Sequence, residues 1–147
     1  MKFYLRYMME WPDLFLVLES PTGSLMSYLI AKVEGKNEDW HGHVTAITVS
    51  PMYRRLGFAR SLMSHLDRVS EDRKCYYVDL FVRQSNSLAI SMYEGFGFVQ
   101  YRKILQYYSG AAQENAFDMR KSLSSDKDKK AMIPLKHPVH ADDLEYN

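Results

Sequence analysis

Val49-Ser50-Pro51-Met52-Tyr53-Arg54-Arg55-Leu56-Gly57-Phe58-Ala59 is the stretch whose reading decides the fold. The segment before it, Val44 to Val49, carries Val, Thr and Ile at most positions and predicts a strand, which Pro51 ends. From Gly57 onward Phe58, Leu62, Leu66 and Val69 fall on one helical stripe, with Arg60, Ser64, Asp67 and Glu71 on the other face. A loop entering a helix presents about four backbone N–H groups without helical partners, and the helix dipole adds positive charge there. Such a loop wraps a pyrophosphate with its amides. Gly57 permits close backbone approach, small Ala59 leaves room, and Arg54 and Arg55 add permanent charge. A bare Arg-x-x-Gly-x-Ala also fits a turn glycine ahead of any helix; the strand before and the helix after favour the phosphate reading. The chain contains neither Gly-x-x-x-x-Gly-Lys nor Gly-x-Gly-x-x-Gly.

Working outward, Phe3, Tyr4, Tyr7, Met8 and Trp11 recur at helical spacing and predict a helix closed by Pro12. Leu14 to Leu18 reads as a strand, Ser20 to Gly23 as a tight turn, Leu25 to Val33 as the returning strand, and Glu34 to Trp40 as a loop. Downstream, Tyr76 to Val82 predicts a buried strand and Asn86 to Glu94 a short helix starting near Asn86. Phe98 to Tyr108 predicts a long strand and Phe117 to Arg120 a last short one. This order gives a mixed α/β domain over residues 1–123. Beyond Leu123 the chain turns polar, and residues 124–147 are expected to form a tail, solvated or laid against a partner.

The 147 residues suit one domain, with 46% apolar and 25% charged residues. A formal charge of +1 gives no reason to expect nucleic acid as partner. Cys75 is the only cysteine, which excludes an intrachain disulfide and points to a reducing compartment. No apolar run approaches the ~20 residues that span a bilayer, and the N-terminus shows no secretion signal, so a cytosolic location is expected.

Arg54 to Ala59 resembles the acetyl-CoA loop of the GCN5-related acetyltransferases. Four further strings, Trp40-His41-Gly42-His43-Val44-Thr45-Ala46, Tyr77 to Arg83, Gln106-Tyr107-Tyr108-Ser109 and Phe117 to Lys121, are similar to the catalytic subunits of N-terminal acetyltransferase B. The tail's Ile133-Pro134-Leu135-x-His137-Pro138-Val139 belongs to the same resemblance, which runs from about Phe3 to about Glu145. The resemblance implies a mixed, mostly antiparallel sheet flanked by helices, and acetyl-CoA as co-substrate with no metal. It implies acceptors that are protein N-termini beginning Met-Asp, Met-Glu, Met-Asn or Met-Gln, and a large helical auxiliary subunit that anchors the enzyme to ribosomes. An acetyltransferase for another amine, or a non-catalytic subunit that binds acetyl-CoA, remain alternatives.

Residue roles follow from the resemblance and are chemically coherent. Tyr93 is implied as the group that protonates the leaving thiolate; a phenol with pKa about 10 holds its proton at neutral pH. A core or cofactor-stacking tyrosine is the other reading. Asn86 caps its helix and is implied to contact the CoA arm and the acceptor. His43 and Thr45 are implied to recognise the acceptor's second side chain, and Tyr107 and Tyr108 to hold its backbone. If the strand is regular, His43, Thr45 and Ile47 share a face. Ile47 and Val49 are expected to be core side chains whose backbone meets the pantetheine arm. A His41-x-His43 metal site is disfavoured because the sequence shows no third cysteine or clustered carboxylate nearby.

Against the resemblance, the chain lacks the strand, helix and loop with which these enzymes begin. The acidic and aromatic groups of that loop have no counterpart here. An uncovered sheet edge and an apolar helix face are expected in consequence.

Overall fold

A computed structural model describes residues 4–10, 13–19, 22, 25–49, 57–110 and 113–144. Leu14, Leu16 and Leu18 on β2 (Asp13–Glu19) and Leu29, Ala31 and Val33 on β3 (Leu25–Glu34) sit at alternate positions, and all six are buried in one core cluster. The two-residue period of a strand sends that row to one side of the sheet. Tyr4–Glu10 is not the expected helix; it is a strand, β1, antiparallel to β2 from Tyr4 opposite Glu19 to Glu10 opposite Asp13. Two residues separate Glu10 from Asp13, the shortest hairpin connection. An isolated helix this short is marginal, whereas strand pairing satisfies the outer edge of β2. The sheet edge thereby moves from β2 to β1.

Eight strands form one sheet in the order β1-β2-β3-β4-β5-β7-β6-β8. β4 (His41–Val49) returns antiparallel to β3, then crosses through helix α1 (Phe58–Asp72) to β5 (Tyr77–Arg83), which lies parallel to β4. Helix α2 (Ser87–Gly95) leads to β6 (Val99–Tyr108), which pairs antiparallel with β7 (Glu114–Ser122). This is the mixed, mostly antiparallel sheet that the resemblance implies. The last predicted strand is longer than expected, nine residues rather than four.

α1 buries Phe58, Leu62, Met63 and Leu66, in the core cluster with the strand residues Val44, Val78 and Leu80. Gly42 lets the helix approach closely, since a Cβ there would lie 2.7 Å from Ser70 Oγ. The alternate positions of β5, Tyr77, Asp79 and Phe81, carry the opposite face. β7 continues that face with Asp118 and Arg120, opposite Phe81 and Asp79. The apolar side of the sheet therefore belongs to the helices, and the other side is polar and aromatic.

The segment after Leu123 runs back along the domain. Ser124 donates its amide to Glu71 Oε1 at 2.6 Å, and Asp126 accepts from Ser122 Oγ and from the amides of Lys130 and Ala131. The Leu135 amide bonds Tyr101 O at 2.7 Å, and β8 (Val139–His140) adds to the sheet parallel to β6. Among the described residues, no helix is long and apolar enough to cross a membrane.

Candidate active site

The parallel ladder between β4 and β5 runs from His41 opposite Tyr77 to Val44 opposite Leu80 and ends there, while β4 stays paired with β3 to Val49. The two strands part at a bulge. Ala31 faces Val44 and Ile30 faces Ala46, so Thr45 is the extra residue. The bulge shifts the alternation: Ile47 lies opposite Leu29 and packs on the core, whereas His43 faces the polar side opposite Lys32. Ile47 therefore lies on the opposite face from His43, against the expectation that His43, Thr45 and Ile47 share one. Thr45 is exposed, and Val49 ends β4 opposite Ser27.

Gly57 precedes α1 with φ 76°, in the left-handed region that suits glycine. A Cβ built there meets none of the described residues within 4 Å. No side chain caps the helix and its first turn holds no acid. These observations fit an anion at the helix N-terminus, as the pyrophosphate of acetyl-CoA requires. Phe58 is buried in the core, Ala59 is half-buried, and Arg60 lies with its guanidinium 5.0 Å from the Phe96 ring centroid. Arg54, Arg55 and Leu56 lie outside the described residues.

On the polar side three of the expected acceptor-binding residues, His43, Tyr107 and Tyr108, join Phe81 in a continuous aromatic wall. His43 meets the Phe81 ring edge-on with centroids 4.9 Å apart, Phe81 meets Tyr107 at 5.1 Å, and Tyr107 meets Tyr108 at 5.0 Å. The Arg83 guanidinium sits 3.9 Å from the Tyr108 ring centroid. An irregular stretch of β6, with Gln106 at φ 55°, breaks the register between Ile104 and Tyr108 where this pair projects. Tyr93 lies buried on α2, edge-on to Phe96 and Phe98. Burial, and secondarily the neighbouring Tyr108, raise its phenol above the ordinary value, so its proton is firmly held. Asn86 caps α2 by accepting from the Ala89 amide at 3.1 Å, leaving its side-chain NH₂ to another role.

Beneath the wall is an ion network that sequence reasoning missed. His43 Nδ1 lies 2.7 Å from Asp79 Oδ1, both groups buried. His41 stacks on Tyr77 with centroids 4.6 Å apart, and its Nε2 lies 3.5 Å from Glu34 and 3.6 Å from Asp79. Arg120 is held between the rings of Tyr77 and Tyr101 at 4.5 and 3.8 Å, and bonds Asp118, which also accepts from Arg102. The carboxylates that meet the two imidazoles come from β3 and β5, as Glu34 and Asp79. The Nδ1 atoms of His41 and His43 are both engaged, with Asp39 O and Asp79, so these groups form a hydrogen-bonded ion network. Burial pulls the His43 pKa down, but the hydrogen bond and charge of Asp79, with Glu34, outweigh it and the net shift is upward. Burial pushes Asp79 up, and His43, His41 and Arg120 more than offset it, holding the carboxylate below its usual range. The available signal was an acid in the middle of the apolar run Tyr77 to Val82, which needs a buried partner.

A parallel strand pair that opens beside a glycine-led helix N-terminus is the arrangement that the resemblance implies for an acyltransferase using a CoA thioester. The chain belongs to the acetyltransferase (GNAT) family, which matches residues 2–98. It is 53% identical to the N-terminal acetyltransferase B complex catalytic subunit NAA20 of Arabidopsis thaliana, over all of this chain and 84% of that protein. The crystal structure of Chaetomium thermophilum Naa20 with a bisubstrate analogue superposes with a TM-score of 0.79 at 32% identity, covering 87% of this chain and 76% of the other. A NatB acetyltransferase complex bound to CoA and MES matches with a TM-score of 0.67 at 36% identity, over 74% and 72% of the two chains.

Proposed function

We propose that this chain is the catalytic subunit of an N-terminal acetyltransferase of the B type, moving acetyl from acetyl-CoA to the α-amino group of proteins beginning Met-Asp, Met-Glu, Met-Asn or Met-Gln. The observation that carries the proposal is the 53% identity to a plant B-type catalytic subunit across the whole chain. In this reading the amides around Gly57, with Arg54, Arg55, Leu56, Phe58 and Ala59, hold the pyrophosphate. The parted backbone of Ile47 and Val49 pairs with the pantetheine amides, because that arm has the amide spacing of a strand. Acetyl-CoA supplies the activated acyl group.

An α-amine has a pKa of about 7.7–8.0, so a substantial minority is neutral at cellular pH, whereas lysine near 10.4 is almost wholly protonated. The site needs only modest base assistance, and positioning two substrates carries most of the rate. Tyr107 and Tyr108 hold the acceptor backbone, His43 and Thr45 face its second side chain, and Asn86 bonds at the junction of both substrates. Tyr93 Oη keeps its proton until sulfur departs, then donates it. The chain is expected to work in the cytoplasm, docked on a large helical auxiliary subunit that binds ribosomes; a solved relative is itself a NatB complex.

The test is thiol release by the chain co-purified with its auxiliary subunit, using peptides beginning Met-Asp or Ser-Glu and a peptide with only a lysine amine. Turnover is expected with Met-Asp alone. Activity confined to lysine, or acetyl-CoA binding without turnover of any N-terminus, contradicts the proposal.

A further inference from the structure

We propose that Asp79 is the positioning residue that sets which second side chains the acceptor site takes, by fixing the ring of His43 and the proton on its Nδ1. The assignment rests on the reading of His43 as the group facing that side chain.

A carboxylate only accepts hydrogen bonds, so the 2.7 Å contact requires Nδ1 of His43 to carry a proton in either charge state. The ring is held on a second side by the edge-on Phe81. Titration of His43 therefore happens at Nε2, which no described residue bonds. Neutral His43 presents a lone pair there, which accepts from the amide of Asn or Gln and repels the carboxylate of Asp or Glu. Cationic His43 presents N–H, which donates to a carboxylate and equally to an amide oxygen. Amide acceptors are thus compatible with both states and acidic acceptors with one. Asp79 is the switch between an enzyme for amides alone and one for both classes.

The surroundings agree. Around this ring are Asp79 from β5, Glu34 and Lys32 from β3, His41 from β4 and, behind Asp79, Arg120 from β7, while Tyr107 from β6 lies beyond Phe81. Of the groups acting on His43, Lys32 alone opposes the cation by its charge, and it is engaged with Glu34 at 3.2 Å. The net effect is the upward pKa shift already described.

The experiment compares wild type, Asp79→Asn, Asp79→Glu, His43→Gln and the Asp79→Asn/His43→Gln double variant, each with the auxiliary subunit, on Met-Asp and Met-Asn peptides from pH 6 to 9. In wild type, kcat/KM for Met-Asp relative to Met-Asn falls as pH rises through the His43 transition. Asp79→Asn moves that transition to lower pH and lowers the Met-Asp/Met-Asn ratio at pH 7.5 about tenfold, through KM more than kcat. Asp79→Glu keeps a carboxylate and retains much of the ratio. In the His43→Gln background, Asp79→Asn changes the ratio no further. Thermal unfolding of each complex separates lost folding from lost selectivity, and if Asp79→Asn does not fold, the Asp79→Glu and His43→Gln profiles decide. Equal loss on both peptides with an unchanged pH profile makes Asp79 merely structural and overturns the inference. A His43→Gln ratio equal to wild type overturns the placement of His43 itself, and with it the inference, while B-type acetylation stands. Absence of turnover on both peptides in wild type overturns the functional reading beneath it.

Discussion

Tyr93 shows how far one residue's chemistry follows from its surroundings. Its ring packs among Phe96 and Phe98 in the core, where burial, and secondarily Tyr108, raise the pKa of its phenol. A buried phenol whose pKa is raised is a poor base and a dependable proton reserve. Tyr93→Phe keeps the packing and removes only the proton, so kcat is expected to fall about 10²-fold, the lower range for lost acid catalysis, with acetyl-CoA affinity nearly unchanged. An unchanged kcat in steady-state assays removes Tyr93 as the acid. His43 is shifted in the same direction, but there it is the charged form that the surroundings favour. Its pKa is raised, so the stability drawn from the His43–Asp79 pair is fully present below the unfolded value of about 6.5 and fades as pH rises through the folded value.

The fold's elements were legible where periodicity is long and failed where one residue changes the count. Strand, glycine and amphipathic helix from Val44 to Asp72 read correctly because the apolar stripe is sustained and the punctuation strong. The Thr45 bulge did not read, since an inserted residue leaves composition untouched while reversing every side chain beyond it. Tyr4–Glu10 misread because its spacing fits a helix, while its partner strand lies across a hairpin that local pattern does not weigh. The ion network escaped for the same reason: Glu34, Asp79 and Arg120 are far apart in sequence and meet only across strands. For the helix N-terminus, Gly57→Asp adds a charge where a pyrophosphate is expected. The left-handed backbone disfavours a side chain by about 1–2 kcal/mol. Favourable interaction with the dipole offsets about 0.3–1 kcal/mol of that. Folding should therefore survive while the KM for acetyl-CoA rises tenfold or more and the peptide KM changes little. Equal effects on both KM values contradict the assignment.

Over the whole molecule, residues 124–144 behave as part of the domain's scaffold, bonded to α1 through Glu71 and to β6 through Tyr101 and β8. Their polar composition suggested a tail because sequence shows charge and not the partners that use it. Asp126 gathers three hydrogen bonds at the start of this segment. Asp126→Ala is expected to lower unfolding free energy by about 1–3 kcal/mol at pH 7, the range for leaving buried donors unmet. Burial raises the Asp126 pKa, but the Ala131 amide, Ser122 and Lys130 bring it below the usual value. Its contribution is thus present above about pH 3.9 and is lost as pH falls through the lower folded value. Urea unfolding at pH 7 and pH 3 should show the two proteins converging in acid; a constant difference contradicts this. The added edge strand, the docked segment and the parted β4–β5 pair together make one scaffold, on which the proposed function places a CoA thioester and a protein N-terminus. The most direct measurement uses one peptide that begins Met-Asp and carries an internal lysine, incubated with acetyl-CoA and the chain in complex with its auxiliary subunit. Fragmentation mass spectrometry then locates the acetyl group. The account predicts it on the α-amine alone; acetyl on the lysine side chain would contradict it.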